Sequence, residues 1–261
     1  MRQLFVCADD GGWHAPTDKV LIALASQGRL SAVSLLVDGP NIQAWRDITN
    51  SEPGLNLGLH FALTWTPERG SSDLAALIRQ SLLGRLNINE INDRLNHQLD
   101  RFEETLGRPP AFLDGHQHVH TLPGIRDAVL RTLAERYPTD KRPAIRSTVP
   151  LQWRGTKAAV IAALGGLGMK KRLRQKGWAS NPDFAGVYNF AKPHSFRLNI
   201  QSWISQLADG GLLMVHPGSS ALPEHGHARQ AEALYLAGNQ WQDDLAAAHC
   251  RIAKENPNKI W

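Results

Sequence analysis

Ala111-Phe112-Leu113-Asp114-Gly115-His116-Gln117-His118-Val119-His120 places three of the chain's 11 histidines within five residues, directly after a short apolar run. A packed core has no use for that density of imidazole, whereas a strand that ends in metal-binding or acid–base groups does. Alternate side chains of a strand share a face, so this stretch predicts Asp114, His116 and His118 on one side. Other apolar runs end alike. Leu4-Phe5-Val6-Cys7-Ala8 gives way to Asp9-Asp10-Gly11-Gly12, and Leu55-Asn56-Leu57-Gly58-Leu59 gives way to His60. Further on, Ala144-Ile145 precedes Arg146, and Met214-Val215 precedes His216-Pro217-Gly218.

Working outward, the strand-like runs fall at residues 4–8, 32–37, 55–60, 111–116, 144–147 and 212–216. Between them the apolar spacing turns helical. Ile91, Leu95, Leu99, Phe102 and Leu106 recur three or four apart and stop at Gly107, predicting a helix over 89–106. Similar patterns cover 18–27, 125–137, 157–173, 198–208 and 228–237. Strands alternating with helices predict an α/β fold whose parallel sheet or barrel is covered by helices. The strands are continuous apolar runs, as burial on both faces requires. In such folds chemistry collects at the carboxyl ends of the strands. Asp9, Asp10, His60, His116, Arg146 and His216 all fall there.

Hydrophobic residues make up 42% of the 261 and charged residues 20%, ordinary for a globular chain with a real core. No linker or internal repeat divides it, so one domain over 1–261 is expected, with loop insertions near 61–73 and 150–195. The net charge is +5, and its clearest basic cluster is Lys170-Lys171-Arg172-Leu173-Arg174-Gln175-Lys176. We read the cluster as a solvated helix face and expect no nucleic-acid partner, since no nucleic-acid motif accompanies it. Cys7 and Cys250 are too few for a disulfide framework. No run is long enough to span a bilayer, and the start resembles no signal peptide. A cytoplasmic protein without a membrane span is expected; a homodimer stays open.

Asp10, His60 and one histidine of the 116–120 cluster form a donor set of one carboxylate and two imidazoles. Such a set suits one divalent ion, zinc first and magnesium next, with room for water and substrate. His116 lies nearest the strand end and is the first choice, with His118 or His120 as replacement or supplement. Asp9 and Asp10 are expected at one mouth through a bend at Gly11-Gly12. Two carboxylates there should divide their roles, one binding metal and the other taking a proton. Arg146 is placed to hold the base ionised, and His216 to protonate a leaving group. Trp65, Trp153 and Trp178 are candidates to stack on a sugar ring. His14, His97, His194 and His249 are given no role, and His225 and His227 are read as solvated.

Taken in order, these residues resemble the YdjC-like carbohydrate deacetylases. The resemblance runs through Ala8-Asp9-Asp10, Gly58-Leu59-His60, the 114–120 string, Ile145-Arg146, Phe184-Ala185-Gly186, Val215-His216-Pro217-Gly218, and Arg229 with Glu232. It implies a distorted (β/α) TIM-like barrel similar to polysaccharide deacetylases, and metal-dependent removal of acetyl groups from N-acetylated amino sugars. Carried onto this chain, it implies Asp10, His60 and His116 as ligands, Asp9 as base, and Arg146 and His216 as assistants. The chain departs from the family at Gly11, where Phe is usual, and at Asp18, where Asn is usual. The expected substrate is a small acetylated amino sugar or sugar conjugate. Another metal-dependent amide or phosphoester hydrolysis, or a non-catalytic sugar-binding role, is the alternative.

Overall fold

The computed structural model describes every residue except Pro53, Glu68, Arg69, Ser72, Lys192, Pro193, His194 and Pro223. His194 and parts of both expected insertions therefore lie outside the described residues. The strands are β1 (Arg2–Gly11), β2 (Ala32–Leu35), β3 (Asn56–Phe61), β4 (Trp65–Thr66), β5 (Gly70–Ser71), β6 (Phe112–Gly115), β7 (Ala144–Ile145), β8 (Phe184–Ala185), β9 (Gly211–Val215) and β10 (Cys250–Ile252). The helices that flank them are α1 (Ala15–Ser26), α2 (Ile48–Ser51), α3 (Leu74–Leu82), α4 (Ile88–Leu106), α5 (Ile125–Arg136), α6 (Thr156–Ile161), α7 (Leu167–Gln175), α8 (Ser195–Gln206), α9 (Gly226–Ala237), α10 (Asn239–Ala247) and α11 (Pro257–Ile260).

The main sheet runs β7-β6-β3-β2-β1-β9-β8, every neighbouring pair parallel, and curls into a half-barrel. β10 adds to the start of β1. Leu4 pairs with both Gly211 and Ile252, so β10 lies on the edge of β1 opposite β9. The ladder is open between β7 and β8. Residues 179–183 cross that gap: Ile145 N–H donates to the Ala179 carbonyl at 2.9 Å, and Asn181 both accepts from Ser147 N–H (2.7 Å) and donates to Ser147 O (2.9 Å). One side chain there does the work of a strand pair, which is the distortion in the barrel.

Buried aliphatics of β1, β2, β3 and β9 meet the inner faces of the helices in one core. α4 shows how the pattern produces the element. Asn87 caps its N-terminus through Glu90 N–H, Gly107 ends it at φ 68°, and Ile91, Leu95, Leu99, Phe102 and Leu106 face inward. Gln98, on that buried face, accepts from Ala62 N–H (3.0 Å) and donates to Ala62 O (2.8 Å). The chain just beyond His60 is thereby fixed.

Two local expectations are corrected. The turn that brings Asp9 and Asp10 to one mouth lies at Asp10 itself, whose φ is 66°, with a register shift against β2 between Ala8 and Gly11. This bulge re-aims the second carboxylate. Gly11 is closely packed: a Cβ there would come within 2.6 Å of the Leu35 and 2.7 Å of the Val33 methyl groups, with the Trp45 ring at 3.2 Å, so those side chains would have to shift. At the other departure, Asp18 accepts from Gly12 N–H, Asn41 and Trp45 and ties down the loop after β1. The second correction is in the histidine string. The strand stops at Gly115, and Gln117 (φ 54°) and His118 (φ 62°) turn left-handed, so the two-residue alternation does not reach His118.

Candidate metal and active site

All six residues expected at strand ends lie at the carboxyl end of the parallel sheet, following or ending β1, β3, β6, β7 and β9. Asp9, Asp10, His60, His116 and His216 line one cavity of about 300 Å³. Arg146 lies behind it, fully buried.

One group of ligand atoms converges. His60 Nε2 lies 3.4 Å, and His116 Nδ1 3.2 Å, from Asp10 Oδ1, and the three donor atoms lie within 4.8 Å of one another. Donors bonded at about 2.0–2.1 Å to one tetrahedral ion stand roughly 3.3 Å apart, so the spacing fits a divalent cation. His116 Nε2 is buried and has no hydrogen-bond partner among the described residues. His60 Nδ1 lies 2.6 Å from Asp114 Oδ1. That contact places the proton on Nδ1 and leaves Nε2 as the free lone pair, the usual support for a ligating histidine. Burial acts to lower the His60 pKa, but Asp114, Asp9 and Asp10 override it and raise it to about 10.

A second group, Cys7, Asp9 and Asp114, also has metal-like spacing, but the Arg146 guanidinium is already there. Its Nη1 donates to Asp9 Oδ2 at 2.7 Å and its Nη2 to Asp9 Oδ1 at 2.6 Å, while Asp114 Oδ2 lies 2.5 Å from Nη2 and Cys7 Sγ 3.1 Å. Burial acts to raise the Asp9 pKa, but this fork holds the carboxyl well below the usual carboxylate range. Asp10 is governed differently. Burial again acts upward, but Arg229, whose Nη2 donates to Asp10 Oδ2 at 2.5 Å, and the two imidazoles hold it ionised. His216 Nε2 lies 3.9 Å from Asp9 Oδ2. Burial pushes the His216 pKa down to about 4, so at neutral pH the imidazole is uncharged.

The alternatives to His116 go elsewhere. His120 is buried and its Nε2 lies 3.0 Å from the Arg146 carbonyl, which makes it a support of the arginine. His118 lines the cavity but is outside the converging trio. None of the three tryptophans is in the cavity wall: Trp65 and Trp178 are buried elsewhere and Trp153 is exposed. Tyr188 and Phe190, packed ring to ring at 4.8 Å, supply the aromatic wall. His225, read as solvated, stacks on Phe190 at 4.8 Å and also lines the cavity.

Three supporting residues carried no assigned role in the sequence reading. Asp114 joins His60, Arg146 and Ser34, and only its place in the histidine string signalled it. Arg229 holds Asp10. Glu232, fully buried, accepts from His216 N–H and from Tyr188 O–H, each at 2.5 Å. Burial pushes its pKa up to about 7.

Comparisons with known proteins agree with this architecture. Chitooligosaccharide deacetylase of Serratia marcescens is 33% identical over 133 residues, 48% of this chain and 53% of that protein. The enzyme of that name from Escherichia fergusonii is 32% identical over 145 residues, 52% of this chain and 57% of that protein. The matched region spans about half the length of these curated relatives. A crystal structure from Enterococcus faecalis, of a protein suggested to cleave cellobiose phosphate, shares the fold with a TM-score of 0.72 at 15% identity, covering 99% of this chain and 98% of that one. The profile of the YdjC-like proteins matches residues 3–247, and the chain belongs to that family.

Proposed function

We propose that residues 1–261 form one enzyme, a divalent-metal-dependent N-deacetylase of an acetylated amino sugar or sugar conjugate, working in the cytoplasm. The observation that carries this reading is the division of labour between consecutive carboxylates. Asp10 converges with His60 and His116, while Asp9, at the same cavity, is forked by Arg146. The names of the relatives support an acetylated saccharide as substrate.

Asp10, His60 and His116 would hold the ion; two imidazoles and a carboxylate favour zinc, with magnesium next. When bound, the ion would supply a Lewis acid that polarises the acetamide carbonyl and acidifies a neighbouring water. Asp9 takes the proton of the attacking water, and Arg146 keeps that carboxylate ionised and aimed. His216, 3.9 Å from Asp9, receives the proton and passes it to the departing nitrogen, so that water and amide leave as acetate and amine. Tyr188 and Phe190 offer the sugar an apolar wall.

The test is acetate release from a panel of N-acetylated mono- and oligosaccharides, before and after chelation and after restoring zinc or magnesium. Release that is lost with chelator and restored by metal supports the proposal. Release indifferent to chelation, or no release from any acetylated sugar by metal-loaded protein, overturns it.

A further inference from the structure

The basic cluster at 170–176 acquires a second property in three dimensions. α6, the π turn at Ala162–Gly166 and α7 form one continuous helical segment. Ala158, Ala162, Gly165, Gly166, Met169 and Leu173 are buried against the body. The outward side carries Val160, Ala163, Leu167, Lys171 and Arg174 in turn. Val160 is 50% exposed and Leu167 57%. Before the helix, Leu151 is 59% and Trp153 73% exposed. Solvent is a poor partner for four large apolar groups in one segment.

The segment before the helix and the helix itself are anchored to the same two residues, Pro182 and Asp183. Leu151 N–H donates to Asp183 Oδ1 at 2.8 Å and Arg154 pairs with Asp183 Oδ2 at 2.6 Å, while Lys170 Nζ donates to the adjoining Pro182 carbonyl at 3.3 Å. Arg172 is engaged by Asp127 at 2.8 Å. Among the described residues, Lys171, Arg174 and Lys176 make no ion pair. On its third side α6 turns Lys157 and Ile161 into the site cavity, so this surface adjoins the cavity mouth.

We propose that Leu151, Trp153, Val160 and Leu167, with Lys171 and Arg174, form a peripheral docking surface for a bilayer containing anionic lipid. A tryptophan and aliphatic side chains seat at the headgroup–acyl boundary while neighbouring lysines and arginines meet lipid phosphates. Charge complementarity selects this occupant. In an isologous pair the same patch meets itself, which would bring two rows of unpaired cations onto one interface. A nucleic acid would answer the cations and leave the apolar half uncovered.

The test is flotation of the full chain with vesicles of phosphatidylcholine alone or mixed with phosphatidylglycerol, at low and high salt, so binding is read without turnover. Wild type should float with the mixed vesicles and not with phosphatidylcholine alone, and salt should release it. Lys171→Gln/Arg174→Gln should weaken partition roughly 25-fold, about fivefold per cation. Trp153→Ser/Leu167→Ser should weaken it at least tenfold with unchanged circular dichroism and thermal midpoint. Failure of wild type to bind mixed vesicles at low salt overturns the proposal, as does binding that both double variants retain. Concentration-dependent self-association abolished by Trp153→Ser/Leu167→Ser would assign the face to a second copy. Duplex DNA competing as well as lipid would assign it to nucleic acid. Either result also overturns the proposal.

Discussion

Asp9 and Asp10 are chain neighbours with different guanidinium partners, Arg146 for the first and Arg229 for the second. The bulge at Asp10 lets both reach the cavity without sharing a partner. Asp9→Asn should lower deacetylation by about 10²–10⁴-fold while metal content per chain is nearly unchanged, because an amide cannot accept the water's proton. Equal loss of metal and activity would make Asp9 a ligand. His216 poses the opposite problem, since burial holds its pKa near 4 and at neutral pH it lacks the second ring proton that an acid would donate. In the proposed reaction it would gain one, and Asp9 Oδ2 at 3.9 Å is the adjacent source. His216→Ala should therefore depress turnover of acetamides far more than of activated acetate esters, whose leaving groups need no proton. Equal depression of both would reduce His216 to a structural part, a result that kinetics on the two substrate types would reveal directly.

At the scale of elements, the segment from His116 to Thr121 matters most, because it turns one strand end into several functions. With Gln117 and His118 in the left-handed region, His116 reaches Asp10 while His120 folds back over Gly115 onto the Arg146 carbonyl. A Cβ on Gly115 would lie 2.9 Å from His120 N and Nδ1. His120 Nδ1 is buried without a partner among the described residues, so a proton added there finds no acceptor among them. Burial accordingly lowers its pKa from 6.5 to about 4. Between those values the unfolded chain binds the extra proton, so this contribution is fully present above pH 6.5 and is lost as pH falls toward 4. The loss is on the order of 3 kcal/mol. His120→Gln keeps a donor for the Arg146 carbonyl but cannot titrate. Its urea-unfolding free energy should fall less than that of wild type between pH 7 and pH 5. His216 shifts the same way, so the slope should shrink without vanishing.

For the whole molecule, a ligand that binds only the folded chain stabilises it by mass action. A divalent ion held by β1, β3 and the turn after β6 should therefore raise the melting midpoint by roughly 5–10 °C at 100 times its Kd. His60→Ala should erase the increment, and differential scanning calorimetry of metal-free and metal-loaded protein measures it. An equal increment in that variant would place the ion elsewhere. What the sequence determined by itself is the frame of this molecule. Strand and helix periods are written over spans of a few residues, and parallel βα units send strand ends to one side. Six candidate site residues could thus be grouped from their positions alone. The tertiary structure decided who neutralises whom. Arg146 reaches Asp9 across 137 positions and Arg229 reaches Asp10 across 219. Asp114 becomes a partner of His60 only through the pairing of β3 with β6. The same holds for the aromatic wall, where Tyr188 and Phe190 stand in place of the expected tryptophans. No local pattern carries such choices, because a buried charge takes whichever counter-charge the packing brings within about 3 Å.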